Sequence, residues 1–200
     1  MFDERVRRAL PPLIDPVARA LARFGVSANM VTAAAFVAGA AAAAMIAVGF
    51  PRAGLAVWLV SRLGDAIDGA LARGEGRPSA AGGYLDITLD MAAYSLMVIG
   101  FAAARPDLGL AWTAVLAGYV LAITTTLALS NAAASKGRTV STTNRTFQFT
   151  TGLAEAGETS FMYTAWVLFP GWLPWLVWAW VAVLAITAVQ RSRLAWRVLR

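Results

Sequence analysis

The stretch Asp65-Ala66-Ile67-Asp68-Gly69-Ala70-Leu71-Ala72-Arg73, followed after a short interruption by Gly82-Gly83-Tyr84-Leu85-Asp86-Ile87-Thr88-Leu89-Asp90, sets four carboxylates in the middle of an otherwise apolar chain. Of 200 residues, 59% are hydrophobic and only 14% charged. Mean hydropathy is +0.63. Soluble domains carry about 25% charged residues, so this composition belongs in a bilayer. Lys and Arg number 17 against 11 Asp and Glu, a formal charge of +6. That excess suits loops facing anionic lipid. The basic residues are scattered between apolar runs, which argues against a nucleic-acid partner. The chain has no Cys and no His, which excludes thiolate nucleophiles, imidazole bases and Cys- or His-ligated zinc. Any chemistry must run on carboxylates, hydroxyls, amides and cations.

An ionised side chain at the centre of a membrane helix costs about 2.5–3.5 kcal/mol even on lenient scales, and four together repel one another. Something positive must sit among them. Asp65 and Asp68 stand three apart, Asp86 and Asp90 four apart, so each pair projects from one helical face. The short link between them makes the two helices antiparallel neighbours. Asp68 and Asp86 then lie near the link, with Asp65 and Asp90 about a turn deeper at roughly 1.5 Å rise per residue. An all-oxygen set of this kind suits Mg²⁺ or Mn²⁺ before Zn²⁺. Mg²⁺ keeps positions for phosphate oxygens, which points to a diphosphate substrate. The competing reading has the carboxylates pairing with Arg62, Arg73 and Arg77 and holding helices together. Buried ion pairs contribute little net stability, and intramembrane acids mark functional sites, so the metal-site reading is preferred.

Working outward, six apolar stretches could each cross a membrane: Asn29 to Phe50, Ala53 to Arg73, Ala80 to Ala104, Leu108 to Ala134, Thr146 to Phe169 and Trp172 to Gln190. The expected fold is therefore all-α and polytopic, with six transmembrane helices over residues 27–200. Residues 1–26 form an N-terminal amphipathic interfacial segment. There Asp15 is placed to cap a helix opening at Pro16, Val17, Ala20, Leu21 and Phe24 recur at helical spacing, Arg19 and Arg23 face headgroups, and Gly25 ends the helix. With the N-terminus inside, most Lys and Arg fall on the cytoplasmic side, and only Arg52 and Arg105 fall outside. Both termini are expected to be cytoplasmic, with the site opening to that side. Trp166, Trp172 and Trp175 would form an aromatic belt at the last external turn.

Asp65, Asp68, Gly69, Ala72, Arg73, Gly82, Asp86 and Asp90 together resemble the signature of the CDP-alcohol phosphotransferase (CDP-alcohol phosphatidyltransferase) family, integral membrane enzymes of phospholipid synthesis; all eight specified positions match. The family's six-helix architecture and amphipathic N-terminal segment agree with the map above. Physical roles can be stated for several positions independently. Gly69, costly inside a helix by about 1 kcal/mol relative to Ala, clears space for a ligand or a close helix. Ala72 does the same a turn on. Gly82 admits a nucleotide from the facing helix, and Arg73 grips phosphate through its planar fork.

The resemblance implies that a CDP-linked lipid, here CDP-diacylglycerol, lies with its diphosphate on two Mg²⁺ or Mn²⁺ ions held by Asp65, Asp68, Asp86 and Asp90. An alcohol then attacks the phosphorus distal to cytidine, Asp90 acts as general base, and CMP leaves. It also implies a homodimer in the inner or plasma membrane. Val26-Ser27-Ala28-Asn29-Met30-Val31-Thr32 is similar to the family's Pro-Asn-x-x-Thr element, with Ala28 in place of Pro. Asn29 and Thr32 are nucleotide contacts on that reading; capping of the first span by Ser27 or Asn29 is the competing explanation.

For the acceptor, Lys136, Arg138 and Arg145 could bind a phosphorylated alcohol such as glycerol 3-phosphate or inositol phosphate, though positive-inside bias explains them equally well. Glu155 and Glu158, three apart on one face, point instead to a neutral or cationic alcohol, or to pairing with Arg62 and the loop cations. Two rivals differ in kind. An aspartate-rich membrane prenyltransferase of the UbiA type needs a longer chain and lacks the Ala-Arg and Gly spacing. A divalent-cation transporter would be supported by a second Asp-rich segment, and the C-terminal half has none.

Overall fold

The computed structural model describes residues 11–74, 79–135 and 156–199, and every regular element among them is helical. In chain order these are α1 (Pro11–Arg23), α2 (Ala28–Ala47), α3 (Pro51–Gly74), α4 (Ala80–Ala104), α5 (Gly109–Ser135), α6 (Ala156–Leu168) and α7 (Leu173–Leu199), with short 3₁₀ turns at Pro106–Leu108 and Pro170–Trp172. They fall into two compact units, Met1–Asp107 and Leu108–Arg200.

Among the described residues, four helical stretches are long and apolar enough to cross a membrane: Ala28–Ala47, Ala80–Ala104, Pro106–Ser135 and Pro170–Arg197. The expected count of six is corrected on two grounds. Helix α3 has the length, 24 residues, but Arg52, Arg62, Asp65, Asp68 and Arg73 make it too charged to qualify on hydropathy. Helix α6 has only 13 described residues.

The first unit is built around α2, which packs against both α3 and α4, while α1 packs on α3. Ser27 caps α2 by accepting from the Met30 amide. Helices α1 and α2 both end in Schellman turns on a left-handed glycine: Gly25 at φ 74° and Gly49 at φ 91°. In each, the next amide returns to the helix, Val26 to Leu21 O at 3.1 Å and Phe50 to Met45 O at 2.8 Å. Helix α1 runs from Pro11 rather than Pro16: Pro11 and Pro12 lie in the first turn, where a proline sacrifices no hydrogen bond, and Pro16 is accommodated inside the helix. Its packed face is Ile14 and Ala18, with Leu21 partly buried against Ala70 and Leu71 of α3. Val17 and Phe24, expected on the same stripe as Leu21, are exposed.

The core contains Ala42, Ile46, Trp58, Ala93, Met97 and Val98, all essentially sealed. Backbones approach closely where glycine permits. A Cβ on Gly54 of α3 would stand 2.7 Å from the Ala42 carbonyl, and one on Gly100 of α4 would collide with the carbonyl of Ala43. Lipid tails give no hydrophobic reason for helices to associate, so such small-residue contacts carry the packing.

In the second unit α7 packs against α5 and α6. The Tyr119 and Tyr163 hydroxyls are 2.8 Å apart, and Trp180 Nε1 donates to Tyr119 at 3.2 Å. Trp166 is 1% exposed and lies edge-on to Trp112, so it belongs to the core and not to the expected belt. Trp172 and Trp175 are exposed, as a belt requires.

Candidate active site

Ser79, in an extended conformation, caps α4 by accepting from the Gly82 amide at 2.9 Å. This starts α4 in the register that turns Asp86 and Asp90 toward α2 and α3. Carboxylate oxygens of Asp65, Asp68 and Asp86 then lie within 4.8 Å of one another. Asp68 is buried and the other two are half-buried. Three oxygen donors so close would repel strongly without a cation, and their hardness and spacing fit Mg²⁺ or Mn²⁺. Three of the four expected ligands are thus brought together.

Asp90, the fourth, lies outside that group, and its Oδ1 accepts from Arg62 Nη1 at 2.7 Å. Arg62 also donates from Nη1 to the Tyr94 hydroxyl at 3.3 Å and from Nη2 to Ser61 Oγ at 3.1 Å. Ion pairing of the carboxylates with Arg62, Arg73 and Arg77 was the competing expectation from sequence, and the Arg62–Asp90 pair is an instance of it. Trp58 and Tyr94 wall this guanidinium, and neither was picked out from the sequence. Helical arithmetic would have found them, since each stands one turn from a charged residue on its own helix, Trp58 from Arg62 and Tyr94 from Asp90.

Thr32 of α2 lies with its Oγ1 2.6 Å from Asp68 Oδ2 and 3.0 Å from the Ala28 carbonyl. A hydroxyl has one proton, and the shorter contact, to a carboxylate, is the stronger. The hydroxyl thereby fixes the orientation of Asp68. Outer hydrogen bonds of this kind typically tune metal affinity by about 10–100-fold. Thr32→Val is expected to weaken Mn²⁺ binding about tenfold, measured by titration of the paramagnetic signal. Unchanged affinity would remove this role.

Asn29, the second residue of α2, is exposed, and its Oδ1 would stand 3.2 Å from a Cβ on Gly82. That Cβ would also come 2.9 Å from Ser79 Oγ. A side chain at 82 would thus crowd the helix cap and Asn29. Gly69 borders Arg73, whose Nη1 would be 3.4 Å from an added Cβ. Ala72 is half-buried and Arg73 exposed at the end of α3. A narrow cleft lined by Thr32, Phe36, Arg62, Asp65, Asp68 and Asp90 joins two of the three carboxylates to the Arg62 pair.

Of the expected acceptor residues, Lys136, Arg138, Arg145 and Glu155 lie outside the described residues, as does Arg77. Glu158 stands in the first turn of α6, and its Oε2 is buried without a hydrogen-bond partner among the described residues.

The model of the CDP-alcohol phosphatidyltransferase family matches residues 25–189. Inner membrane protein YnjF of Escherichia coli (strain K12) is 32% identical over 178 residues, covering 86% of this chain and 84% of its own. Archaetidylinositol phosphate synthase of Methanothermobacter thermautotrophicus is 32% identical over 205 residues, 100% of this chain and 94% of its own. Among solved structures, the phosphatidylinositol phosphate synthase of Mycobacterium tuberculosis in complex with manganese and citrate superposes with a TM-score of 0.74 at 24% identity, covering 92% of this chain and 89% of that one. The same enzyme with CDP-DAG bound gives 0.71 at 23% identity, over 92% and 94%. At that identity the structural likeness speaks for the fold. The sequence matches, which span the eight-position motif and the helices carrying it, go further: the chain belongs to the CDP-alcohol phosphatidyltransferase family.

Proposed function

We propose that the chain transfers a phosphatidyl group from CDP-diacylglycerol to the hydroxyl of a small alcohol and releases CMP. The observation that carries the proposal is the convergence of Asp65, Asp68 and Asp86 within 4.8 Å, with Asp90 on the same cleft as Asp65 and Asp68. These three carboxylates hold Mg²⁺ or Mn²⁺, which when bound neutralises charge on the diphosphate. Asn29, Thr32, Gly69, Ala72, Arg73 and Gly82 surround the nucleotide and diphosphate. Thr32 acts by orienting Asp68, and Arg73 grips a phosphate through its guanidinium. Asp90 takes the proton of the acceptor hydroxyl as the new O–P bond forms, and the bond from phosphorus to CMP breaks. A membrane site open to the cytoplasm lets the acyl chains stay in lipid while the headgroup reaches the carboxylates. Both termini lie on that side, and the chain works as a homodimer.

For the acceptor, Glu155 and Glu158 favour a neutral or cationic alcohol. Lys136, Arg138 and Arg145, together with likeness to an archaetidylinositol phosphate synthase, favour a phosphorylated polyol. The test is purified protein with labelled CDP-diacylglycerol, Mg²⁺ or Mn²⁺ and a panel containing inositol phosphate, glycerol 3-phosphate, serine, choline and uncharged polyols. CMP release that requires both metal and one acceptor is expected, with the new lipid identified by mass. Absence of CMP with every acceptor would overturn the proposal. Glu155→Gln and Glu158→Gln are expected to raise KM for the preferred acceptor severalfold; an unchanged KM would remove both residues from the acceptor pocket.

A further inference from the structure

Helix α7 fixes which of its faces meets the bilayer. At about 100° per residue, Val177, Trp180, Leu184, Thr187 and Arg191 fall within about 40° of one line along the helix, and all five are buried. Arg191 holds that face to α5, donating from Nη1 to the Ala122 carbonyl at 2.9 Å. Trp175, Arg193, Trp196 and Arg197 lie on the opposite side and are exposed. The stretch from Trp175 to Trp196 measures about 32 Å at 1.5 Å rise per residue, and a hydrocarbon core is about 30 Å thick. With Trp175 74% and Trp196 68% exposed, the two indoles sit at headgroup level at opposite ends of the span. Arg193 and Arg197, each within a turn of Trp196, are set at the same level.

Arg193 and Arg197 stand four apart on one helical face, so their like charges oppose each other unless an anion joins them. The chain offers little to do so. Neither α5 nor α7 contains an acidic residue, no carboxylate follows Glu158 in the sequence, and Glu158 in α6 has a buried Oε2. A phosphodiester supplies the missing charge and matches the planar guanidinium fork. We propose that Arg193, Trp196 and Arg197 form a docking surface for the headgroup of an anionic phospholipid, its phosphate bridging the two arginines while Trp196 packs on the ester region beneath. The indole is what commits the surface to a lipid, because an apolar ring at the interface adds nothing for a free phosphate ion. No residue of the carboxylate site takes part, so the proposal holds whether or not the chain is a transferase.

The test is equilibrium binding of tail-labelled phosphatidylglycerol to the full chain in detergent, against phosphatidylcholine with the same acyl chains. A cation beside an anionic headgroup is worth roughly fivefold in affinity, so phosphatidylglycerol is expected to bind at least about tenfold tighter. Combining Arg193→Gln with Arg197→Gln should lower phosphatidylglycerol affinity at least about tenfold and leave phosphatidylcholine within about twofold. Both side chains are exposed, so packing is untouched. Arg193→Lys with Arg197→Lys keeps the charges and should cost no more than about threefold. Arg52→Gln, which removes an exposed arginine of α3, should leave both lipids within about twofold; a loss equal to that of the paired glutamines would make the effect one of net charge and overturn the proposal. Arginines near a helix C-terminus also complement its dipole. That role alone would lower the melting temperature alike in both lipids and leave the preference standing in the glutamine pair, which overturns the docking surface. Equal binding of the two lipids by the native chain would overturn it as well, as would displacement of the labelled lipid by excess inorganic phosphate.

Discussion

Asp68→Asn is expected to lower CMP-forming turnover by about 10³-fold and Mn²⁺ affinity by at least tenfold, the largest catalytic effect of any single isosteric change in this chain. Of the three carboxylates that converge, Asp68 is the buried one, 5% exposed, and it has its own hydroxyl partner in Thr32. An amide at this position has nearly the same shape, so helix packing is left alone. It carries no charge, however, and its NH₂ group cannot coordinate a hard cation. Thr32 can still donate to the amide oxygen, which keeps the fold of α2 on α3 intact. The loss is therefore electrostatic. Parallel measurement of melting temperature and Mn²⁺ binding separates it from unfolding. Retained Mn²⁺ affinity together with retained turnover would remove Asp68 from the metal site and with it the proposed chemistry.

The contrast between Asp68 and Asp90 shows how far spacing can be read. Intervals of three and four place each pair on one helical face, and the short link makes α3 and α4 neighbours; both inferences need only helix geometry. The same arithmetic places the two pairs at matching depths but leaves side-chain direction open. Asp90 turns to Arg62 because Trp58 and Tyr94 build an aromatic seat for a cation there, a contact between helices that no interval along one helix encodes. Gly82 shows the same limit. A glycine near a carboxylate reads as room for a ligand, and the structure adds that a Cβ there would crowd Asn29 and the Ser79 cap, contacts the spacing does not encode. Thr32 was singled out as a nucleotide contact, and its hydroxyl bonds a carboxylate of the site, a role its spacing did not indicate.

Element boundaries were legible where composition changes sharply. Helix α4 runs over Ala80–Ala104, as the apolar run between Ser79 and Arg105 predicts. The last helix continues to Leu199, nine residues past the expected end at Gln190, because Arg191 is buried and donates to the Ala122 carbonyl at 2.9 Å, and the exposed Arg193 and Arg197 are good helix formers that water or headgroups accept. Trp166 was misplaced since an aromatic near an external turn reads the same whether it faces lipid or core. Only the ring contacts with Trp112 and Tyr163 distinguish the two.

Gly100→Leu is expected to abolish the folded first unit, and Gly100→Ala to destabilise it by about 1–3 kcal/mol. Gly100 faces the backbone carbonyl of Ala43, with the α carbon of that residue 3.1 Å from where a Cβ would stand. Backbone cannot swing aside as a flexible side chain can, so any substituent must force α4 away from α2. Gly100 lies fourteen residues beyond Asp86, about 21 Å along the helix at 1.5 Å per residue. A wedge there acts on the site only through the helix as a rigid lever. Asp86 reaches the triad because α4 lies flush on α2 along its whole length, from Asn29 beside Gly82 to Ala43 beside Gly100. Even the alanine variant should therefore lose several-fold in Mn²⁺ affinity despite touching no polar group. Gly109→Ala is the matched control, since a Cβ there meets nothing within 4 Å, and it should leave both melting temperature and Mn²⁺ binding unchanged. Equal behaviour of the two alanine variants would show that α2 and α4 are not locked at their far ends, and that the three carboxylates are held together by local contacts alone.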